Sequence, residues 1–474
     1  MGGGHGWGEM NRDSRRLSAS TRIASFAARF RDVPLSAGQR HLAFRAFLDT
    51  FAVAIASRDE AAPGIAGQYL ARNAGCGKAS AWTDGAALAP ESAAWLNGIA
   101  AHVLDYDDVM MPMRGHVSAA MVPALIALSQ VTDATGKLFS SAYIAGFEVM
   151  ARISRVMAIE HYTKGWHSTS ALGILGAVAA CSVLLGLDER QITNALGLAV
   201  AQASGGRENF GTMAKSFQAG QCGAAAVRAV LLAQSGFDAS ENAIDGKYGY
   251  LALYGNNEDL SPALDALGTS PLEIDAIGID VKKYPCCYGV HRALDGILRL
   301  REQHGLSLGA VGSVEVTTSA RGLEALIHSR PTTGLAGKFS MEYAVAAALL
   351  DGYVGFESFA DAMVMRPQIQ AFLPSVKKSE STGAALPRWT EIKVRLKNGS
   401  TLEARVAQAR GDAGDPLSDE ELVRKVEDCF SRGRCGWSAG RFAERVFGMT
   451  DTRIDDLIRP LYAADTSHPI HAAT

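Results

Sequence analysis

Five side chains of the 474-residue chain stand where proton-transfer chemistry would need them: Asp105, His116, His167, Lys215 and His291. Asp105 belongs to the run Leu104-Asp105-Tyr106-Asp107-Asp108, whose crowded carboxylates repel one another, so some of them must cap backbone amides or pair with a cation. Arg114-Gly115-His116 follows on a glycine-flexed loop and delivers a cation and an imidazole to those acids. His167, in Gly165-Trp166-His167-Ser168-Thr169-Ser170, stands at the mouth of an uncharged helix, where free N–H groups and hydroxyls suit an anion beside an imidazole. Lys215 is the first cation before an Ala-rich helix, placed to pair with a ligand carboxylate or to snorkel. His291 follows Tyr284-Pro285-Cys286-Cys287-Tyr288. Together these groups suit abstraction of a Cα proton beside a carboxylate: one His removes the proton, Lys or Arg neutralises the enolate-like charge, and a second His protonates the leaving group. The three histidines lack the short spacing of a metal motif, so no metal is expected. His-Glu-x-x-His and a Gly-x-Gly-x-x-Gly after a strand are absent from the sequence. Gly334 to Ser340 imitates a phosphate loop, but only Leu335 and Ala336 separate its glycines, and Phe339 stands where a hydroxyl should hold magnesium.

The elements that must position these residues are mostly helices. From about 17 to 270, apolar residues recur at three- and four-residue spacings between Gly and Pro breaks. Between 273 and 408 the period changes: Ser313 to Thr318 alternates and is β-branched, and Ile392 to Leu396 and Leu402 to Val406 flank Asn398-Gly399, which predicts a β-hairpin. Ser418 is placed to cap a helix through Leu422, Val426 and Phe430. The expected fold is mainly α: a large all-helical domain formed by 17–272 and 409–474, with a smaller α+β domain, 273–408, inserted. A cleft between them is the default place for a ligand.

Composition narrows the class. Lys+Arg 46 against Asp+Glu 49 leaves a net charge of -3, which argues against binding nucleic acid through a basic surface. The 49 glycines and 7% aromatics predict helices packed closely through small residues. Seven cysteines without a Cys-x-x-Cys pair predict a reducing, cytoplasmic setting. Residues 1–16 are Gly-rich, lack the apolar core of a signal peptide and are expected to form a disordered leader. Ser168 to Leu187 is long enough for a membrane helix, but it is dilute in Ala, Gly and Ser and flanked by Asp188-Glu189-Arg190, which predicts a buried helix and no membrane contact.

The runs Leu-Asp-Tyr-Asp-Asp (104–108), Gly-His (115–116), Gly-Trp-His-Ser-Thr-Ser (165–170), Asn-Phe-Gly-Thr-Met-x-Lys (209–215), Lys-Tyr-Pro-Cys-Cys-Tyr-x-x-His (283–291) and Gly-Lys-Phe-Ser-Met-Glu-Tyr (337–343) together resemble the MmgE/PrpD family, in the same order from about 35 to 460. The resemblance implies a helical domain with a smaller lid domain, a homodimer, and a site between the domains that uses no cofactor and takes a small di- or tricarboxylate. It also implies the catalytic set Asp105, His116, His167, Lys215 and His291, with Arg114 holding a substrate carboxylate and Tyr288 and Lys338 as further substrate-binding residues. Elimination of water, as from 2-methylcitrate, is the expected reaction. Epimerisation of the iminodisuccinate type is the close rival, and a non-catalytic carboxylate binder is the alternative from another class. A threonine of the decarboxylating members falls on Val109, and the loop to His116 is one residue longer, which weighs against cis-aconitate decarboxylation.

Overall fold

Helix starts follow local chemistry. Ser18, Ser36, Asp188 and Ser418 each turn a side-chain oxygen onto a backbone N–H of the first turn, opening α1 (Ala19–Phe30), α2 (Ala37–Ala56), the helix Glu189–Val200 and the helix Asp419–Arg432. At the last three, the Gln or Glu three residues on returns a bond to the cap, closing a capping box. The structure, a computed structural model, describes residues 17–462; the leader expected at 1–16 and the stretch 463–474 lie outside the described residues. The chain is mainly α.

Buried apolar side chains form two clusters. The first draws on residues 19–281 and 417–458. After α1 and α2 it contains α3 (Ala61–Asn73), α4 (Pro90–Val103), α5 (Val117–Thr132), α6 (Gly136–Thr163), a single turn α7 (Ser168–Ala171), α8 (Gly173–Leu185), α9 (Glu189–Val200) and α10 (Met213–Gln234). Small residues set its helix crossings. A Cβ added to Gly98 of α4 would meet the Gly220 Cα of α10 at 2.7 Å, and one added to Gly220 would lie 2.3 Å from the Trp95 carbonyl oxygen. Gly146 of α6 packs the same way on α8, its added Cβ falling 2.6 Å from the Gly176 carbonyl oxygen. The apolar segment Ser168–Leu185 has the length and hydropathy of a membrane span, yet 94% of it is buried inside the protein. Neighbouring helices therefore satisfy it.

The second cluster runs from Tyr284 to Val406, joined by Tyr162 and Phe210. Here β3 (Val311–Thr318), β4 (Val376–Glu380), β5 (Thr390–Leu396) and β6 (Thr401–Val406) form a sheet ordered β4-β3-β5-β6, separate from the two-residue strands β1 (Ala79–Ser80) and β2 (Ala87–Leu88). The Asn398-Gly399 hairpin forms as expected, pairing Ile392 with Ala404 and Val394 with Leu402. Helices α11 (His291–His304) and α12 (Met341–Asp351) bury Leu294, Ile297, Val345 and Leu349 in this cluster. The change of cluster falls between Val281 and Tyr284, because Ile274, Ile279 and Val281 still pack with the first set. The chain returns to the first cluster at Leu417, and helix α13 (Asp419–Arg432) buries Leu422, Val426 and Phe430 there.

Candidate active site

Helix α4 ends where Asp105 takes φ 53°, a left-handed conformation that turns the chain sharply away from the helix. The loop that follows closes on itself through Met110 N–H to Gly115 O at 2.9 Å, and is tied to the stretch just before the second cluster by Val109 N–H to Asp280 O at 2.9 Å. His116 then stands as the N-cap of α5. The repulsion among the three acids is relieved by giving each its own partners. Asp105 Oδ1 lies 2.5 Å from Lys215 Nζ, 3.2 Å from Lys282 Nζ and 3.5 Å from His116 Nε2. Asp107 Oδ2 lies 2.8 Å from His102 Nδ1 and 2.9 Å from His116 Nδ1. Asp108 accepts from the Ser118 N–H at 3.1 Å and from the Ser118 hydroxyl.

The same partners set the charge states. Burial works to raise Asp105, but Lys215, Lys282 and His116 outweigh it and hold the carboxyl well below its usual range. Asp107 is likewise held low against its burial, by His102 and His116. Asp108 faces no cation in its own set, and burial pushes it up to about 8. Burial lowers His116 to about 3 and takes His167 well below the ordinary imidazole value, with His102 and Lys215 adding repulsion.

His167 is positioned by two tertiary contacts. Its backbone N–H donates to Gly205 O at 2.9 Å, and its Nδ1 lies 2.7 Å from Gln218 Oε1 of α10. The Gln218 amide nitrogen donates to Gly206 O at 3.0 Å, so the oxygen faces the ring, Nδ1 carries the proton, and Nε2 is left as a bare lone pair. That Nε2 is buried with no partner among the described residues. Lys215 enters from the first turn of α10, whose N-cap is Thr212, with its ammonium 5.1 Å from the centre of the Phe339 ring and 5.5 Å from that of Phe210.

These groups open onto a cavity of about 120 Å³. Of the residues expected from sequence, Asp105, Arg114, His116, His167, Lys215 and Tyr288 line it. Arg114 also pairs with Glu324 Oε2 at 2.5 Å and lies 4.4 Å over the Tyr162 ring. The Tyr288 hydroxyl is buried without a hydrogen-bond partner among the described residues. Two of the expected residues, His291 and Lys338, do not line it. His291 is buried behind the wall, its ring 4.9 Å from that of Tyr288 and its Nε2 3.3 Å from Cys286 O; the turn Tyr288–Val290 puts Cys287, Tyr288 and Gly289 on the cavity in its stead. Lys338 is buried with its ammonium on Leu104 O, closing the carbonyl end of α4, and it does not line the cavity. Burial pulls it down to about 8.

Sequence reasoning missed several residues. His102 stacks on His167 at 5.6 Å and meets His116 edge-on at 4.4 Å; its three-residue spacing before Asp105 on the last turn of α4 is a signal that could have found it. Lys282 stands in a Lys-Lys pair that nothing local singles out, yet it is fully buried and donates to Asp105 O at 2.7 Å. Arg292, Arg321 and Arg388 join Arg114 on the cavity wall, and nothing in their local sequence marks them. Ligand atoms of His102, Asp105, Asp107 and His116 gather within 4.8 Å of one another, the one set among the described residues with the geometry to hold a metal. Asp105 of this set already faces two ammonium groups, Lys215 and Lys282, so a cation would enter against like charge. The arrangement instead favours an anion, polarised by Lys215 and exposed to a neutral imidazole.

A family model described as the MmgE/PrpD N-terminal domain matches residues 21–263, and the MmgE/PrpD C-terminal domain matches 284–434. The chain is 29% identical over 353 residues to cis-aconitate decarboxylase of Homo sapiens, covering 71% of this chain and 72% of the relative. It is 29% identical over 362 residues to the Mus musculus protein of that name, covering 73% of each, and 25% identical over 370 residues to that of Aspergillus terreus, covering 72% and 74%.

Proposed function

Because the chain belongs to the MmgE/PrpD family, we propose that it is a lyase acting on a small tricarboxylate through a carbanion next to a carboxylate. The observation that carries this reading is the pairing of a bare, neutral His167 Nε2 with the Lys215 ammonium on one arginine-lined cavity. The imidazole exchanges a proton with carbon, and the ammonium, fixed on Asp105, stabilises the charge that develops on the adjoining carboxylate. His116, on the same wall with its Nε2 3.5 Å from Asp105 Oδ1, serves the leaving group.

Two bond cleavages lead through such a carbanion. In decarboxylation, the bond to CO2 breaks, its electron pair stays on carbon, and a proton that His167 Nε2 has taken up from solvent is added there. In elimination, His167 takes the Cα proton and the C–O electrons depart with hydroxide, which His116 protonates to water. The names of the curated relatives favour decarboxylation of cis-aconitate as the first reading. Val109, an apolar side chain on the cavity wall where the resembling decarboxylases carry threonine, favours elimination as the second.

The test is incubation of the intact protein with cis-aconitate and, separately, 2-methylcitrate in D2O, followed by NMR. Deuterium in a decarboxylated product supports the first reading, and loss of water from 2-methylcitrate the second. C–H exchange without bond cleavage would turn the assignment to an epimerase. If neither acid changes at all, the lyase proposal fails.

A further inference from the structure

The cavity has a guanidinium wall opposite in origin to its catalytic groups. Arg292 and Arg388 come from the second cluster's part of the chain, and Thr318, Ser319 and Thr390, at the ends of β3 and β5, line the same wall. Arg388 lies just before β5 in a stretch fastened by Ser319 N–H to Trp389 O at 3.1 Å, and its own Nη1 donates to Ala320 O at 3.0 Å.

The four cavity arginines are not alike. Arg114 is paired with Glu324, and Arg292 with Asp412 at 2.8 Å. Arg321 donates to the Thr163 hydroxyl at 3.0 Å. The Arg388 guanidinium, like that of Arg321, has no carboxylate partner among the described residues. Burial, together with the nearby charges of Arg114 and Arg292, pulls Arg388 down to about 10. Half-buried positive charge of this kind is unfavourable on its own and is relieved by an anion. A guanidinium held at one nitrogen by a backbone carbonyl keeps its remaining N–H groups for a planar, two-oxygen acceptor.

We propose that Arg388 receives the substrate carboxylate remote from the reacting carbon, and so sets the preference for acids that carry this extra group. The inference rests on the reading of the cavity as a tricarboxylate site. It goes further in naming which residue counts the carboxylates.

The test is calorimetric titration of the intact protein and its Arg388→Gln and Arg388→Lys variants with two unreactive acids. One is propane-1,2,3-tricarboxylate; the other is 2-methylsuccinate, the same skeleton with one terminal carboxylate removed. The parent should bind the tricarboxylate at least about tenfold more tightly than the dicarboxylate. Arg388→Gln should lose that advantage while its affinity for 2-methylsuccinate stays level, and Arg388→Lys should recover part of it. Equal losses for both acids, no loss for either, or no preference in the parent would each overturn the assignment. A thermal midpoint within a few degrees of the parent checks that the variants fold. Binding through Arg388 without turnover of any acid would sink the lyase reading and leave this one standing. Full turnover with an unaltered acid preference in Arg388→Gln would do the reverse.

Discussion

Removing Lys215 should damage the protein in two separable ways. Its ammonium is both the electrophile of the proposed chemistry and the nearest partner of a buried carboxylate. Lys215→Met should therefore abolish turnover and also destabilise the fold, by about 3 kcal/mol, since Asp105 is left buried with part of its compensation gone. The double variant Lys215→Met/Asp105→Asn should recover most of the stability, read from urea unfolding, and none of the activity. If the double variant is no more stable than the single, the ion pair is not what the fold depends on. His167→Asn should lose at least about a hundredfold in kcat at nearly unchanged stability. His116, His167 and Lys215 were legible in the sequence because each is a polar residue beside glycine or hydroxyl groups at the start of a helix. Lys282 and the cavity arginines were not, because a cation that faces inward and one that faces water look the same until the chain is folded.

At the scale of elements, the distance between Asp105 and Lys215 is set by how closely α4 and α10 approach. Asp105 follows the end of α4 and Lys215 stands in the first turn of α10, and the glycine contact at Gly98 and Gly220 fixes the crossing. Gly220→Ala would drive a methyl group into the Trp95 carbonyl, so the helices must part. The expected cost is about 1–3 kcal/mol, with a fall in kcat larger than the fall in stability would explain. Unchanged kcat in a destabilised variant would show that the site tolerates the shift. Elements whose signals are local were readable in advance: the Ser418 cap and the hairpin at Asn398-Gly399. Strand β4 was not. Its sequence, Val-Lys-Lys-Ser-Glu, has a single apolar residue, and it is a strand only because β3 offers it an edge in parallel register. The position of Lys338 was also hidden, since its partner Leu104 lies 234 residues away.

For the whole molecule, buried imidazoles dominate the response to acid. His102, His116, His161, His167 and His291 all lie below the ordinary imidazole value because of burial. The unfolded chain therefore takes up protons as the pH falls below about 6.5, while the folded chain does not until far lower, near 3 for His116 and near 4 for His161. Stability must decline across that window. Asp108 and Asp280, raised to about 8 and about 7 by burial, act in the opposite sense: each favours the folded state at low pH and loses that contribution as the pH rises toward its folded value. The urea midpoint should peak near neutrality and drop on the acid side. His161→Asn, outside the cavity, should make the acid-side drop shallower; an unaltered slope would mean that His161 titrates freely in the folded protein.

The acidic loop is also held from far along the chain. Lys425 of α13 donates to Tyr106 O at 2.9 Å, pairs with Asp49 at 2.6 Å and lies 3.9 Å over the Tyr106 ring, a closure that spans 319 residues. A ribosome adding about 5–20 residues per second delivers that lysine roughly 15–60 seconds after Tyr106. Until then Asp49 is without its cation and the loop bearing Asp105 and Asp107 lacks its last tether. The candidate pocket is thus among the final parts of the protein to mature, and a nascent chain halted before residue 419 would carry Asp105, His116, His167 and Lys215 without the means to hold them in place.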